Sequence, residues 1–265
     1  MNKIFSKIIS TGSYLPEKVL TNYDIERIVD TSNEWIIERT GIEERHIAST
    51  EESSVDMAHE ASLDAIKKSG IKIQSIDMIV VATTTPERKF PSTAVLLQNK
   101  SNLKNCAAFD VNAACTGFVY AVDIADQYIK NGCVKNVLVV GTEKITSLLD
   151  WKDRNTCVLF GDGAGAVILS SSSEPGIMSS TIVSDGSYKD LLTVNTDPEF
   201  IEMKGNDVFK IAVNTLGKLA ISTLSKNNIS ADDLDWFIPH QANSRIIMAI
   251  AKKIKLSPNK IIMTV

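Results

Sequence analysis

The sequence lacks the charge excess that would draw it to a polyanion. Its 28 Lys and Arg face 32 Asp and Glu, a net charge of −4, so neither nucleic acid nor an anionic membrane is expected as its main partner. It also lacks a long apolar run: nothing approaches the roughly 20 residues that cross a bilayer. The opening MNKIFSKIISTGSYLP has neither the unbroken apolar segment nor the cleavage site of a secretory signal, which leads us to expect a cytoplasmic location. Cysteine is sparse and scattered. Cys106, Cys115, Cys133 and Cys157 form no CxxC pair and no Cys/His spacing, which argues against a metal centre or a disulfide framework and for reduced thiols. The glycines of FGDGAGAVILS fit neither a Walker nor a dinucleotide loop and are read as permitting tight backbone packing.

What is present suits a globular α/β protein. The chain has 265 residues, 44% of them hydrophobic, enough for one large core or two fused smaller ones. DMIVVATTT, NVLVVGTE and AVILSSS are short β-rich runs, with helical patterns between the first two. Cys106 to Val111 is a further β-like run that breaks into small residues and then opens a helix. On that helix Phe118, Val122, Ala125 and Ile129 should face the core, Asp123, Asp126, Gln127 and Lys130 the solvent, and Gly132 should end it.

The chain also resembles itself. A helical stretch at 55–68 leads through SGIKIQSIDMIVVATTT, and one at 208–225 through NNISADDLDWFIPHQAN. The match pairs Gly70 with Asn228, Ile71 with Ile229, Ile76 with Leu234 and Asp77 with Asp235, and it continues from LKNCAAFDV (103–111) to LSPNKIIMTV (256–265) with one residue of slack. We therefore expect two pseudo-symmetric α/β halves, residues 1–171 carrying Cys115 and residues 172–265 carrying His240. By the same analogy the second half is incomplete, short of a helix and two strands, or roughly 50 to 60 residues.

Cys115 and His240 are the residues to weigh. An arbitrary cysteine is more often a buried structural thiol, but one at a helix N-terminus meets unpaired N–H groups and the positive end of the dipole, which should lower its pKa. Ala113, Ala114, Thr116 and Gly117 leave room around it. A lone histidine is more often structural too. The repeat sets His240 at a strand end, equivalent to Ala82. We read His46 as structural and His59 as a helix-surface residue.

Several segments in order, STGSYLPEKVLTN, VDTSNEWIIERTGIEERHIA, AFDVNAACTGFVYA, FGDGAGA, SDGS, GNDVFK and PHQANSRII, make the sequence similar along nearly its whole length to the β-ketoacyl-acyl-carrier-protein synthase III family. These are initiating condensing enzymes of bacterial fatty acid synthesis. The resemblance implies a thiolase-like fold with layers α/β/α/β/α, and a decarboxylating Claisen condensation of a short acyl-coenzyme A with malonyl-acyl-carrier protein. Both are substrates, and no cofactor is implied. Cys115 matches the family's nucleophile and His240 its catalytic histidine. The family's asparagine and C-terminal glycine-rich loop have no match here. Trp35, Arg39 and Arg154 match residues that hold the adenine end of coenzyme A. Gly205, Phe209, Ala242 and Asn243 match the pantetheine tunnel, Leu159 an acyl pocket, and Phe90 an aromatic supplied across a homodimer interface. Lys210, Arg245, Lys252 and Lys253 match a basic face that docks the acidic carrier protein. Two alternatives stand beside this reading: a catalytically inactive homologue that binds acyl-coenzyme A, and a related ketosynthase or acyltransferase of secondary metabolism.

Overall fold

The computed structural model describes residues 3–265. In chain order the elements are β1 (Phe5–Tyr14), β2 (Lys18–Thr21), α1 (Asn22–Glu26), α2 (Asn33–Thr40), β3 (Glu44–Ile47), α3 (Ser54–Ser69), β4 (Met78–Ala82), α4 (Thr93–Lys100), β5 (Ala107–Val111), α5 (Gly117–Lys130), β6 (Asn136–Glu143), β7 (Gly163–Ser172), β8 (Leu192–Val194), β9 (Ile201–Met203), α6 (Gly205–Lys226) and α7 (Ser244–Lys253). The chain divides into two compact units. One holds residues 1–18, 46–145 and 161–182, the other residues 19–45, 146–160 and 183–265. The boundary expected at 171/172 rests on the sequence repeat, whereas these units follow spatial contact.

The first unit is built on a five-stranded sheet of order β1-β7-β6-β4-β5. β4 runs parallel to β5 and β6, while β7 is antiparallel to β6 and β1. Every residue of β4 is buried, as a central strand covered on both faces requires. Its alternation divides the core in two. Ile79 and Val81 join α3 and α4 residues such as Ala58, Ala61, Ala94 and Leu97 on one face, and Met78, Val80 and Ala82 join Ala121, Ala125 and Ile129 of α5 on the other. A capping box of Ser53 and Asp56 starts α3. β1 lies so close to that helix that a Cβ on Gly12 would sit 2.2 Å from the Ala61 carbonyl oxygen.

Three expectations about burial are corrected in this unit. Asp126, expected on the solvent face of α5, is only 1% exposed. It accepts a hydrogen bond from the Ser6 hydroxyl and pairs with Lys130 at 2.7 Å one turn on, so burial is compensated on both oxygens. Phe118, expected in the core, is 37% exposed. His59 is half-buried rather than on the surface, its Nδ1 3.0 Å from the Ser101 hydroxyl, and burial lowers its pKa. His46 is structural as expected, with Nδ1 2.5 Å from the Pro16 carbonyl.

In the second unit α2 begins at Ser32, whose hydroxyl accepts the Trp35 N–H, and ends at Gly41 with φ +82°, a left-handed cap suited to glycine. α2 contributes Ile36 to a cluster with Ile25, Ile42, Cys157 and Val158. α6 and α7 pack together. The strand expected to end at His240 does not form as an extended strand. Among the described residues, its pairing is a single parallel bridge, Phe237 with Ile261, closed by the Phe237 N–H to Lys260 carbonyl (2.8 Å) and Ile262 N–H to Phe237 carbonyl (3.0 Å) bonds. β4 has partners on both sides; this run has one.

Candidate active site

Cys115 lies in a single 3-10 turn, Ala114–Thr116, between β5 and α5. The turn forms because Ala113 offers its carbonyl to both the N–H (3.1 Å) and the hydroxyl (2.8 Å) of Thr116, with Ala114 at φ +46°, an unusual conformation for a residue with a side chain. Gly117 then lets the helix start close to β4: a Cβ there would be 3.2 Å from that of Ala82. This places the cysteine at the carboxyl end of parallel strands, where open α/β sheets bind ligands.

The thiol is not depressed as its position suggested. Cys115 is an exposed residue, yet surrounding protein desolvates its sulfur, and this burial pushes its pKa up; its own backbone N–H opposes the rise and the Glu143 charge adds to it. The first full turn of α5 begins only at Gly117, so helix N–H groups do not offset the desolvation. Of the other thiols, Cys106 is half-buried and Cys133 exposed, while Cys157 is fully buried and its pKa is pushed up to about 11, first by burial.

In the second unit Trp35 has two guanidinium neighbours, Arg39 at 4.9 Å and Arg154 at 5.2 Å from its ring, within cation–π range. Arg154 is also tied to the Asp30 carbonyl at 3.0 Å. Leu159 packs beside Val158 and Cys157. Phe209 is half-buried on α6 under the Arg245 guanidinium, 5.7 Å from the ring centroid, and Gly205 is the first residue of that helix. Ala242 is half-buried before α7. Asn243 has a structural task that its motif did not suggest: its side-chain oxygen caps α7 by accepting the N–H groups of Arg245 and Ile246, and its amide donates to the Arg39 carbonyl at 3.1 Å.

The basic side chains differ in how they are held. Lys253 is drawn onto α6, donating to the side chain of Asn214 at 2.8 Å, with its stem over Gly217. Lys210 lies 3.7 Å from Asp207, and Lys252 is exposed. In the first unit, Phe90 is 84% exposed.

His240 is an exposed residue whose ring is nonetheless desolvated, which lowers its pKa and favours neutral imidazole. Gln241 next to it donates to the Pro239 and Ile262 carbonyls (2.9 and 3.1 Å) and accepts the Thr264 N–H (2.8 Å). It staples the His240 loop to the chain's last segment. Sequence reasoning missed this, because a glutamine between two motif residues shows no periodicity. It also missed Asp162, 4% exposed, whose carboxylate accepts the Ala48 N–H at 2.8 Å. Among the described residues, no group of three or more His, Cys, Asp or Glu could hold a metal ion, and no helix is long and apolar enough to cross a membrane.

Comparison with known proteins accords with this geometry. The family models for 3-oxoacyl-[acyl-carrier-protein] synthase III match residues 109–186, and its C-terminal part residues 224–265. The chain is 53% identical to the β-ketoacyl-[acyl-carrier-protein] synthase III of Xanthomonas oryzae, over 99% of this chain and 84% of that protein. It is 50% identical to that of Thioalkalivibrio sulfidiphilus, over 98% and 84%. The crystal structure of the Aquifex aeolicus 3-oxoacyl-[acyl-carrier-protein] synthase III superposes with a TM-score of 0.95 at 46% identity, covering 98% of this chain and 84% of that one. The fold is thus thiolase-like, and with half its residues shared over nearly its whole length, the chain belongs to the β-ketoacyl-acyl-carrier-protein synthase III family.

Proposed function

We propose that the protein initiates fatty acid synthesis by condensing a short acyl-coenzyme A with malonyl-acyl-carrier protein. The observation that carries this reading is Cys115, presented on a tight turn at the carboxyl end of β5 within the segment that matches the family. The Cys115 thiolate attacks the thioester carbonyl, and coenzyme A leaves as its thiol, taking the proton the cysteine gave up. Malonyl-carrier protein then loses carbon dioxide, and the electron pair of the broken bond becomes an enolate. The enolate carbon attacks the acyl-cysteine carbonyl, Cys115 leaves, and 3-oxoacyl-carrier protein is released. The bonds made and broken balance without a redox or metal partner.

In this reading His240 donates a hydrogen bond to the malonyl thioester oxygen as charge collects there; an imidazole kept neutral by desolvation suits a donor that is not consumed. The indole of Trp35 with its two guanidinium neighbours suits an adenine ring and its phosphates. Arg245 and Lys252, with Lys210 and Lys253, give an acidic carrier protein a basic face. Gly205, Phe209, Ala242 and Asn243 line the pantetheine path and Leu159 the acyl pocket. The exposed Phe90 is buried by a second copy of the chain in a homodimer, and the enzyme works in the cytoplasm. The test is direct. Acetyl-coenzyme A and malonyl-carrier protein together should give 3-oxobutyryl-carrier protein, carbon dioxide and free coenzyme A in equal amounts, and product no faster than without protein would refute the reading.

A further inference from the structure

Glu143 closes β6 with an acceptor that serves the end of the neighbouring strand. Its carboxylate takes the N–H of Thr84 at 2.7 Å, the N–H and hydroxyl of Thr85 at 3.1 and 2.5 Å, and the hydroxyl of Thr83 at 3.4 Å. Burial pushes the Glu143 carboxyl's pKa up, and the Thr84 and Thr85 donors work against that rise; backbone N–H groups can only donate, so what they favour is the ionised carboxylate. Thr83, 4% exposed, passes the connection on: its N–H donates to the carbonyl of Val111 at 3.3 Å, the last residue of β5. Four residues later comes Cys115. Three parallel or adjacent strand ends are thus tied through one carboxylate.

We propose that Glu143 is a positioning residue for Cys115, clamping the end of β4 and, through Thr83, the end of β5 from which the cysteine turn departs. This rests on the reading of Cys115 as the nucleophile. The neighbouring charges are engaged elsewhere. Asp110 of β5 accepts the N–H groups of Thr93 and Ala94, both at 2.7 Å. Lys144 donates to the Ser49 and Glu52 carbonyls, both at 2.7 Å. On α5, Asp123 accepts from Ser180, and Asp126 is held by Ser6 and Lys130. Glu143 is the charge that acts on the sulfur, in the direction that keeps it protonated. The turn therefore offers a thiol that is well placed but slow to react with adventitious electrophiles.

The experiment measures the pH dependence of iodoacetamide alkylation at Cys115, read on its own peptide by mass, with deuterium uptake over residues 112–116 alongside. Glu143→Gln should lower the alkylation midpoint by roughly one pH unit and speed uptake. Glu143→Asp, which keeps the charge but is a methylene shorter, should speed uptake and leave the midpoint in place. A folded Glu143→Gln with the midpoint of the parent overturns the proposal, because a merely structural carboxylate would leave the midpoint alone. If Glu143→Gln does not fold, Glu143→Asp decides: uptake as slow as the parent's overturns the clamp. The unmodified protein's failure to take an acyl group would remove Cys115 as nucleophile without touching either comparison, so the two failures are distinguishable.

Discussion

Two stretches that match each other in sequence, one around β4 and one around Phe237, share a strand register and differ in how deeply they are buried. In the first, β4 pairs Ile79 with Ala108 of β5; in the second, Phe237 pairs with Ile261, one of the two registers that the sequence match, with its one residue of slack, allows. Yet Met78 and Val80 are fully buried, whereas their counterparts Trp236 and Ile238 are 59% and 72% exposed. The carrier helices differ in the same way. α3 buries eight of its 16 residues, while among the described residues α6 buries only Gly217 of its 22. Beside β4 lies β6, at whose start the Asp77 carboxylate accepts the N–H groups of Lys135 and Asn136 at 2.8 and 2.9 Å. Local sequence is enough to set register, and a second neighbouring strand is needed to turn register into a strand and a core.

The largest expected effect breaks that comparison if it fails. Val80→Asp places an unpaired charge in a closed core and should destabilise the protein by at least about 4 kcal/mol. Ile238→Asp should stay within about 0.5 kcal/mol. Urea unfolding of the two variants measures the difference, and equal losses would mean that the two runs are equally buried.

Chemistry sharpens the contrast next. In the proposed reaction Cys115 accepts the acyl group and His240 serves the malonyl step, so His240→Ala should slow malonyl decarboxylation by about 2 to 4 kcal/mol in activation free energy and leave acyl transfer to Cys115 nearly intact. Isotopic carbon dioxide release and acyl-enzyme formation, measured separately, check this. Equal losses in both would count against the division.

Within the second unit a smaller pair of effects is expected. Replacing Trp35 and Arg39 by alanine should raise KM for acyl-coenzyme A roughly tenfold and spare malonyl-carrier protein, and Arg245→Glu should do the reverse. Identical shifts for both substrates would undo the proposed separation.

The smallest effect belongs to the cap of α3. Burial pushes the Asp56 carboxyl up, but Lys100 and Ser53 outweigh it and bring its pKa down to about 2. A folded-state pKa below the unfolded value of about 4 means that Asp56 contributes stability above that value. The contribution fades as pH falls toward about 2. Asp56→Asn should be less stable than the parent at neutral pH and converge with it in acid. A constant gap in unfolding midpoint across that range would contradict the assignment.

Much of this was legible in the sequence, for physical reasons. MIVVA reads as a doubly buried strand because every residue is apolar, and the Cys115 turn shows itself as small residues between a β-like run and a helical period. The stripe on α5 was partly misread, since nothing in a heptad count reveals that Ser6, far off in sequence, would make Asp126 affordable inside. Glu143 was invisible for the same reason: its donors are threonines some 60 positions earlier. The depressed thiol expected for Cys115 rested on helix position alone, and desolvation, a tertiary property, reversed its sign.

The central claim is that Cys115 takes the acyl group, and the most direct measurement is the mass of its peptide after brief exposure to acetyl-coenzyme A. The account predicts one acetyl increment on the Cys115 peptide, none on those of Cys106, Cys133 or Cys157, and its loss in Cys115→Ser. An increment that persists in Cys115→Ser, or that sits on another cysteine of the unmodified protein, would contradict it.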